Sequence, residues 1–253
     1  MPFAEFITAN TYVFFAAFTR VGVIMSVIPG FGDQSLPPMT RLAAALAVTV
    51  TLTPFAREFY PHAPETPLVL AGLLAGEVAI GLVLGVTARL VMSAINVAGQ
   101  IISMQSSLAM AQSFDPSQQA QGALIGSFLS MAAITVIFVS DTHHLLLTAI
   151  RDSYLIFAPG AAPAAADAAE LAIQTVSGAF RLGVSLAAPF IVFGVVFYFG
   201  IGLMSRMMPQ VQVFFVAMPA NVLLGFGILM LTVGSLLTFF LDHFEGVVSK
   251  FLS

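Results

Sequence analysis

Three ionisable side chains, Arg20, Glu77 and Arg89, stand inside apolar stretches, where a charge costs enough to be a functional candidate by default. Glu77 and Arg89 share the run from Leu68 to Ile102 but do not face each other: twelve residues apart, they are separated by about 18 Å of helical rise, far beyond an i,i+4 contact. Two readings stay open for each of the three. The charge either pairs between helices or snorkels in a packed bundle, or it lines a polar path. Asp141, His143 and His144 form an acid and histidine cluster. Adjacent histidines project to different sides of a helix, so one helical face does not supply two ligands, and no metal site is expected there. A polar helix end or loop is expected instead.

Other chemistry lacks a carrier. The sequence holds no Gly-rich phosphate loop, no G-x-S-x-G elbow and no H-E-x-x-H helix. It has no cysteine, which removes thiolate metal sites, disulfides and cysteine nucleophiles. Neither an enzyme nor a bound cofactor is expected. The formal net charge of −4, without a basic cluster, offers no patch to neutralise phosphates, so nucleic acid is not an expected partner.

The most unusual stretch is Met104 to Gln121, MQSSLAMAQSFDPSQQAQ, between two apolar runs. Serine and glutamine (Gln105, Ser106, Ser107, Gln112) alternate with Met104, Leu108, Ala109, Met110 and Phe114, and Asp115-Pro116 supplies a helix breaker. Irregular backbone at membrane depth is tolerated only inside protein or beside a water-filled cavity. The segment therefore lines or blocks a passage if it lies at depth, and is a surface loop if it does not. Methionine suits the first role, because it closes irregular gaps without fixed geometry.

The elements that would position these residues are helices in a membrane. Apolar residues make up 59% of the 253 positions and charged ones 8%, against about 25% charged in an ordinary globular chain. Four uncharged runs, between Arg89 and Asp115, Asp115 and Asp141, Arg181 and Arg206, and Arg206 and Asp242, each exceed the roughly 20 residues a spanning helix needs. Shorter or charge-bearing runs cover Thr11 to Pro29, Arg41 to Pro54 and Leu68 to Ile102. The runs are apolar all round rather than alternating, which disfavours a membrane barrel. The expected fold is an all-α, polytopic integral membrane protein with bent helical hairpins and about six hydrophobic segments. Breaks are expected at Pro29-Gly30, Pro37-Pro38 and Pro54, with wet loops at Pro61 to Pro67 and Ala158 to Glu170. With Glu5 near the N-terminus and no basic residue before Arg20, no cleaved signal is expected. The last hairpin turns at Arg206 and Pro209, and positive-inside logic puts that turn in the cytoplasm.

Small residues recur at helical spacing: Gly72 and Gly76, Gly81 and Gly85, then Gly194, Gly200 and Gly202. They allow close helix approach in lipid, either within one subunit or against others.

The ordered set FTRVGVIMSVIPGFGDQSLPPMTRLAAALAVTVTLTP from Phe18, GEVAIGLVLGVTARLVMSAINVAGQIISMQSSLAMAQSFDP from Gly76 and LMSRMMPQVQVFFVAMP from Leu203 resembles the FliR family of bacterial flagellar export and its type III secretion counterparts. The chain departs from the family at Ser140-Asp141-Thr142, where an Asn-Gly or similar turn is usual. The resemblance implies a structural pore subunit of the export gate in the bacterial inner membrane, at a flagellar basal body or secretion-system base. It further implies a FliP-like region over 1–160 and a FliQ-like hairpin over 171–253, closing a helical assembly with FliP and FliQ and meeting FlhB, with unfolded polypeptides as substrates. It assigns Met104 to Gln121 the role of a plug. A secondary transporter is disfavoured because the two halves differ in length and pattern, and an intramembrane enzyme because no nucleophile, base or metal set is present.

Overall fold

The computed structural model describes residues 3–33, 36–60, 64, 66–109, 124–161, 164–208 and 212–252, with side chains from residue 11 onward except those of 214 and 215. Seven α-helices run through the described residues: α1 (Phe3–Val27), α2 (Pro38–Ala56), α3 (Pro67–Gln105), α4 (Leu124–Val139), α5 (His143–Ile156), α6 (Ala165–Met207) and α7 (Val213–Val248). No strand occurs among them. Four helical stretches, Pro38–Phe59, Pro67–Gln105, Ala165–Met207 and Val216–Phe251, are long and apolar enough to cross a membrane. The pair α4 and α5, bent by 74°, makes a fifth if it counts as one broken span, and Thr11–Val27 is a shorter apolar helix. The all-α membrane architecture expected from the apolar runs is what is observed.

Local chemistry explains most boundaries. Pro38 opens α2, where its missing N–H and fixed φ cost nothing. Gly30 takes φ 85° after α1, and its N–H donates to Asp33 Oδ2 at 2.9 Å. Within α2, the hydroxyls of Thr49, Thr51 and Thr53 each donate to the carbonyl four residues back at 2.7–2.9 Å, which lets a threonine-rich segment sit in an apolar setting. Two expected boundaries move. Helix α2 runs past Pro54 to Ala56, because a proline this close to the end disrupts few backbone bonds. Helix α6 begins at Ala165, so Asp167 and Glu170 are helical rather than in a loop. The alanine run that looked like linker has the highest helix propensity of any residue type.

The chain forms two compact units: residues 1–91, 140–176 and 244–253, and residues 92–139 and 177–243. In the first, Val13, Ala16 and Ala17 of α1 pack with Ala56, Tyr60 and Tyr154. In the second, buried residues recur at helical spacing: Ala94, Ile95, Ala98 and Ile102 on α3, Ile125, Leu129, Ala133 and Ile137 on α4, and Leu182, Leu186 and Phe190 on α6. These units interleave along the sequence.

Candidate functional site

Among the described residues, one buried polar node in each unit draws on the residues singled out in the sequence. The first joins residues the sequence singled out separately. Arg20 on α1 and Glu77 on α3 are both fully buried, with Nε donating to Oε2 at 2.6 Å. The remaining donors of Arg20 reach the end of α5: Nη1 donates to Ser153 O at 3.0 Å and to Ser153 Oγ at 3.2 Å, and Nη2 to Phe157 O at 3.4 Å. Ser153 O already accepts the Phe157 N–H at 2.9 Å and takes Nη1 on its second lone pair, and the partial negative charge at a helix C-terminus favours a guanidinium there. The Arg20 Cζ also lies 4.1 Å from the Tyr154 ring centroid, a cation–π contact. Glu77 Oε1 accepts the Gly160 N–H at 3.0 Å. Gly160 has φ 72°, and a Cβ on Gly76 would come within 2.5 Å of its carbonyl oxygen, so both positions need glycine. Arg20 and Glu77 thus form an ion pair between α1 and α3. Arg89 is exposed on α3 and joins neither node.

Tyr60 packs on Tyr154 with ring centroids 6.2 Å apart. Burial pushes the Tyr60 hydroxyl's pKa well above its usual value, with the neighbouring Tyr154 and Glu77 adding to the effect.

The second node lies at the root of the Met104 to Gln121 segment. Helix α3 ends at Gln105. Met104 is exposed, Ser106 and Ser107 are 3% and 2% exposed, and Leu108 and Ala109 are half-buried. Met110, Gln112, Phe114, Asp115 and Pro116 lie outside the described residues. The Ser106 N–H donates to Ile102 O at 3.0 Å and the Ser107 N–H to Met104 O at 3.3 Å. Ser107 adopts φ 55°, the left-handed conformation that terminates many helices and usually falls to glycine. From α7, Asn221 Nδ2 donates to Gln105 O at 3.1 Å and to Ser107 Oγ at 2.6 Å. Tyr198 of α6 hydrogen-bonds the same Ser107 hydroxyl at 3.0 Å.

Sequence reasoning missed Asn221 and Tyr198. The available signal was Asn221 itself, the sole amide side chain between Val213 and Val248. Arg206 falls in the last turn of α6 and is exposed; Pro209 lies outside the described residues.

At Asp141, the expected separation of the histidines does not hold. One ligand atom each from Asp141, His143 and His144 lie within 4.8 Å of one another, and the two rings sit 4.1 Å apart. His143 is the first residue of α5 and Asp141 precedes the helix at φ 60°, so the rule for helical faces does not govern them. Asp141 holds a left-handed turn, a conformation aspartate tolerates better than most residues. The Asp141 and His144 side chains are exposed, 3.7 Å apart. They form a solvated helix start.

The glycines divide. A Cβ on Gly81 would touch Arg20 O and Val23 at 3.0 Å, and one on Gly85 would meet Val27 at 2.9 Å, so these pack α3 on α1 within the chain. Among the described residues, nothing lies within 4 Å of a Cβ at Gly72, Gly200 or Gly202.

Comparison with known proteins decides the family. Residues 11–247 match the family described as Bacterial export proteins, family 1. The chain belongs to this export family. It is 41% identical to flagellar biosynthetic protein FliR of Caulobacter vibrioides, over 96% of each chain. To FliR of Escherichia coli it is 24% identical over 95% of its length and 91% of the relative's. To Yop proteins translocation protein T of Yersinia pestis it is 30% identical, over 63% of its own length and 62% of the relative's. A member of this export family is a structural component of a membrane-located export apparatus, not an enzyme.

Proposed function

We propose that this chain is a pore-forming subunit of the flagellar or type III protein export gate in the bacterial inner membrane. In this reading it closes a helical assembly with FliP and FliQ, adjoins FlhB, and passes unfolded polypeptides. Residues 1–160 act as the FliP-like part and 171–253 as the FliQ-like hairpin. Met104 to Gln121 plugs the closed pore. The observation that carries the proposal is the match over residues 11–247 to an export family in a chain whose spanning helices leave most of their surface uncovered.

Within the most apolar window of each spanning helix, only 17–33% of residues are buried by the chain itself. On α6, Val192, Val196, Phe199 and Leu203 are 52–69% exposed beside the open Gly200 and Gly202. Lipid tails or neighbouring helices must cover that surface, and open glycines favour helices because they admit close packing that lipid does not need. Deleting Met110 to Ser113, which spares the buried Ser106 and Ser107, tests the plug. The expected result is normal assembly with new ion conductance or dye uptake across the inner membrane; normal assembly with unchanged permeability refutes it.

A further inference from the structure

We infer that Asn221 is a positioning residue: a cap supplied by α7 that ends α3 at Gln105 and fixes the direction in which the Met104 to Gln121 segment departs. This deepens the plug reading and rests on it for its functional meaning.

Helix ends leave four carbonyls without intrahelical donors. In α3, Ile102 O takes the Ser106 N–H and hydroxyl, at 3.0 and 2.8 Å, and Met104 O takes the Ser107 N–H. Gln105 O is the last of them, and it receives Asn221 Nδ2. A carbonyl can only accept, so the nitrogen side of the amide must face it. The same nitrogen's second hydrogen goes to Ser107 Oγ. Asn221 thus bridges the last helical residue and the left-handed residue that turns the chain away.

Three features support a built device over incidental packing. Asn221 is fully buried, and a buried amide is expensive unless its location matters. Ser107 holds a left-handed φ without being glycine, so contacts must stabilise it, and two side chains grip its hydroxyl. Gly225, one helical turn beyond Asn221, leaves space for the root: a Cβ there would sit 2.5 Å from Ser106 Cβ. The Asn221 Oδ1 is buried without a hydrogen-bond partner among the described residues.

Because the chain lacks cysteine, Ala109→Cys accepts a single nitroxide label two residues past the joint. The label is read in the full chain in its native membrane assembly. Asn221→Leu, close in volume but without donors, should raise the mobile fraction of the label about tenfold, the ratio that loss of roughly one to two net hydrogen bonds produces. A label at Ser205, in the last turns of α6, should not change. Ser107→Ala retains the Gln105 bond and should give a smaller rise, and it decides the matter if the leucine variant does not assemble. The double variant should add little to Asn221→Leu, since both remove one network. An unchanged Ala109 label in the assembled variants overturns the cap. The Met110 to Ser113 deletion, which spares the cap residues, separates the two readings: if it fails to leak, the plug falls and the label still decides the cap. If it leaks while the label stays immobile, the cap alone falls.

Discussion

The charged node around Arg20 and Glu77 and the neutral node around Asn221 solve the same problem, polar groups inside an apolar chain, with opposite tolerances. Around Arg20 and Glu77, both charges are matched, both carboxylate oxygens accept, and donors reach two carbonyls at the end of α5. Removing either partner strands a bare charge, so the node is all-or-none. Around Asn221, every group is neutral, one acceptor is without a partner among the described residues, and the node sits where a helix stops. Losing one bond there loosens the joint and leaves no charge behind. The lesson is that burial of polar groups marks two kinds of site in such a protein: fixed anchors that use charge, and adjustable joints that use amides and hydroxyls.

The largest test of that contrast is Glu77→Ala. It should destabilise the chain by about 3–5 kcal/mol, the cost of an uncompensated buried charge, seen as loss of folded protein in thermal unfolding from detergent. Arg20→Met with Glu77→Leu should recover part of that loss. A singly substituted chain as stable as the parent would erase the distinction.

Next in size is Gly81→Leu, which drives a side chain into Arg20 O and Val23 and should cost about 1–3 kcal/mol of the chain's own stability by overpacking. Tyr198→Phe deletes one hydroxyl contact to Ser107 and should cost only about 0.5–1.5 kcal/mol in the same measurement. An effect as large as that of Glu77→Ala would make the neutral node an anchor as well.

Gly200→Leu should preserve or slightly raise the thermal stability of the isolated chain, since no described residue lies within 4 Å of its Cβ and leucine favours the helix over glycine, yet reduce recovery of the export complex on purification. Full recovery would mean that lipid covers that face. The mildest change is Ser205→Cys, an exposed position beside Arg206. It should label from the cytoplasmic side with normal function, and labelling from the periplasmic side alone reverses the proposed orientation.

Much of the architecture was legible because it depends on properties carried by every residue of a segment. Uncharged length in excess of what spans a bilayer sets the helices, and Pro37-Pro38 and Gly30 mark ends that local chemistry enforces. The start of α6 was misread because alanine's propensity and the polar residues near Asp167 and Glu170 pull in opposite directions, and propensity prevailed. Of the candidate site, the sequence singled out Met104 to Gln121 by composition, and Arg20 and Glu77 by the cost of their charge.

What sequence alone determined is therefore the inventory: an all-α membrane chain, three costly charges, one polar interruption between apolar helices, and glycines at close-packing intervals. Only the tertiary structure decided the pairings. Arg20 and Glu77 are 57 positions apart, and Asn221 reaches Gln105 across 116. No local periodicity encodes such distances, because they depend on which helix faces meet when the whole chain packs. The same holds for the glycines: identical residues at 81 and 200 differ only in whether a neighbouring helix is there to touch them.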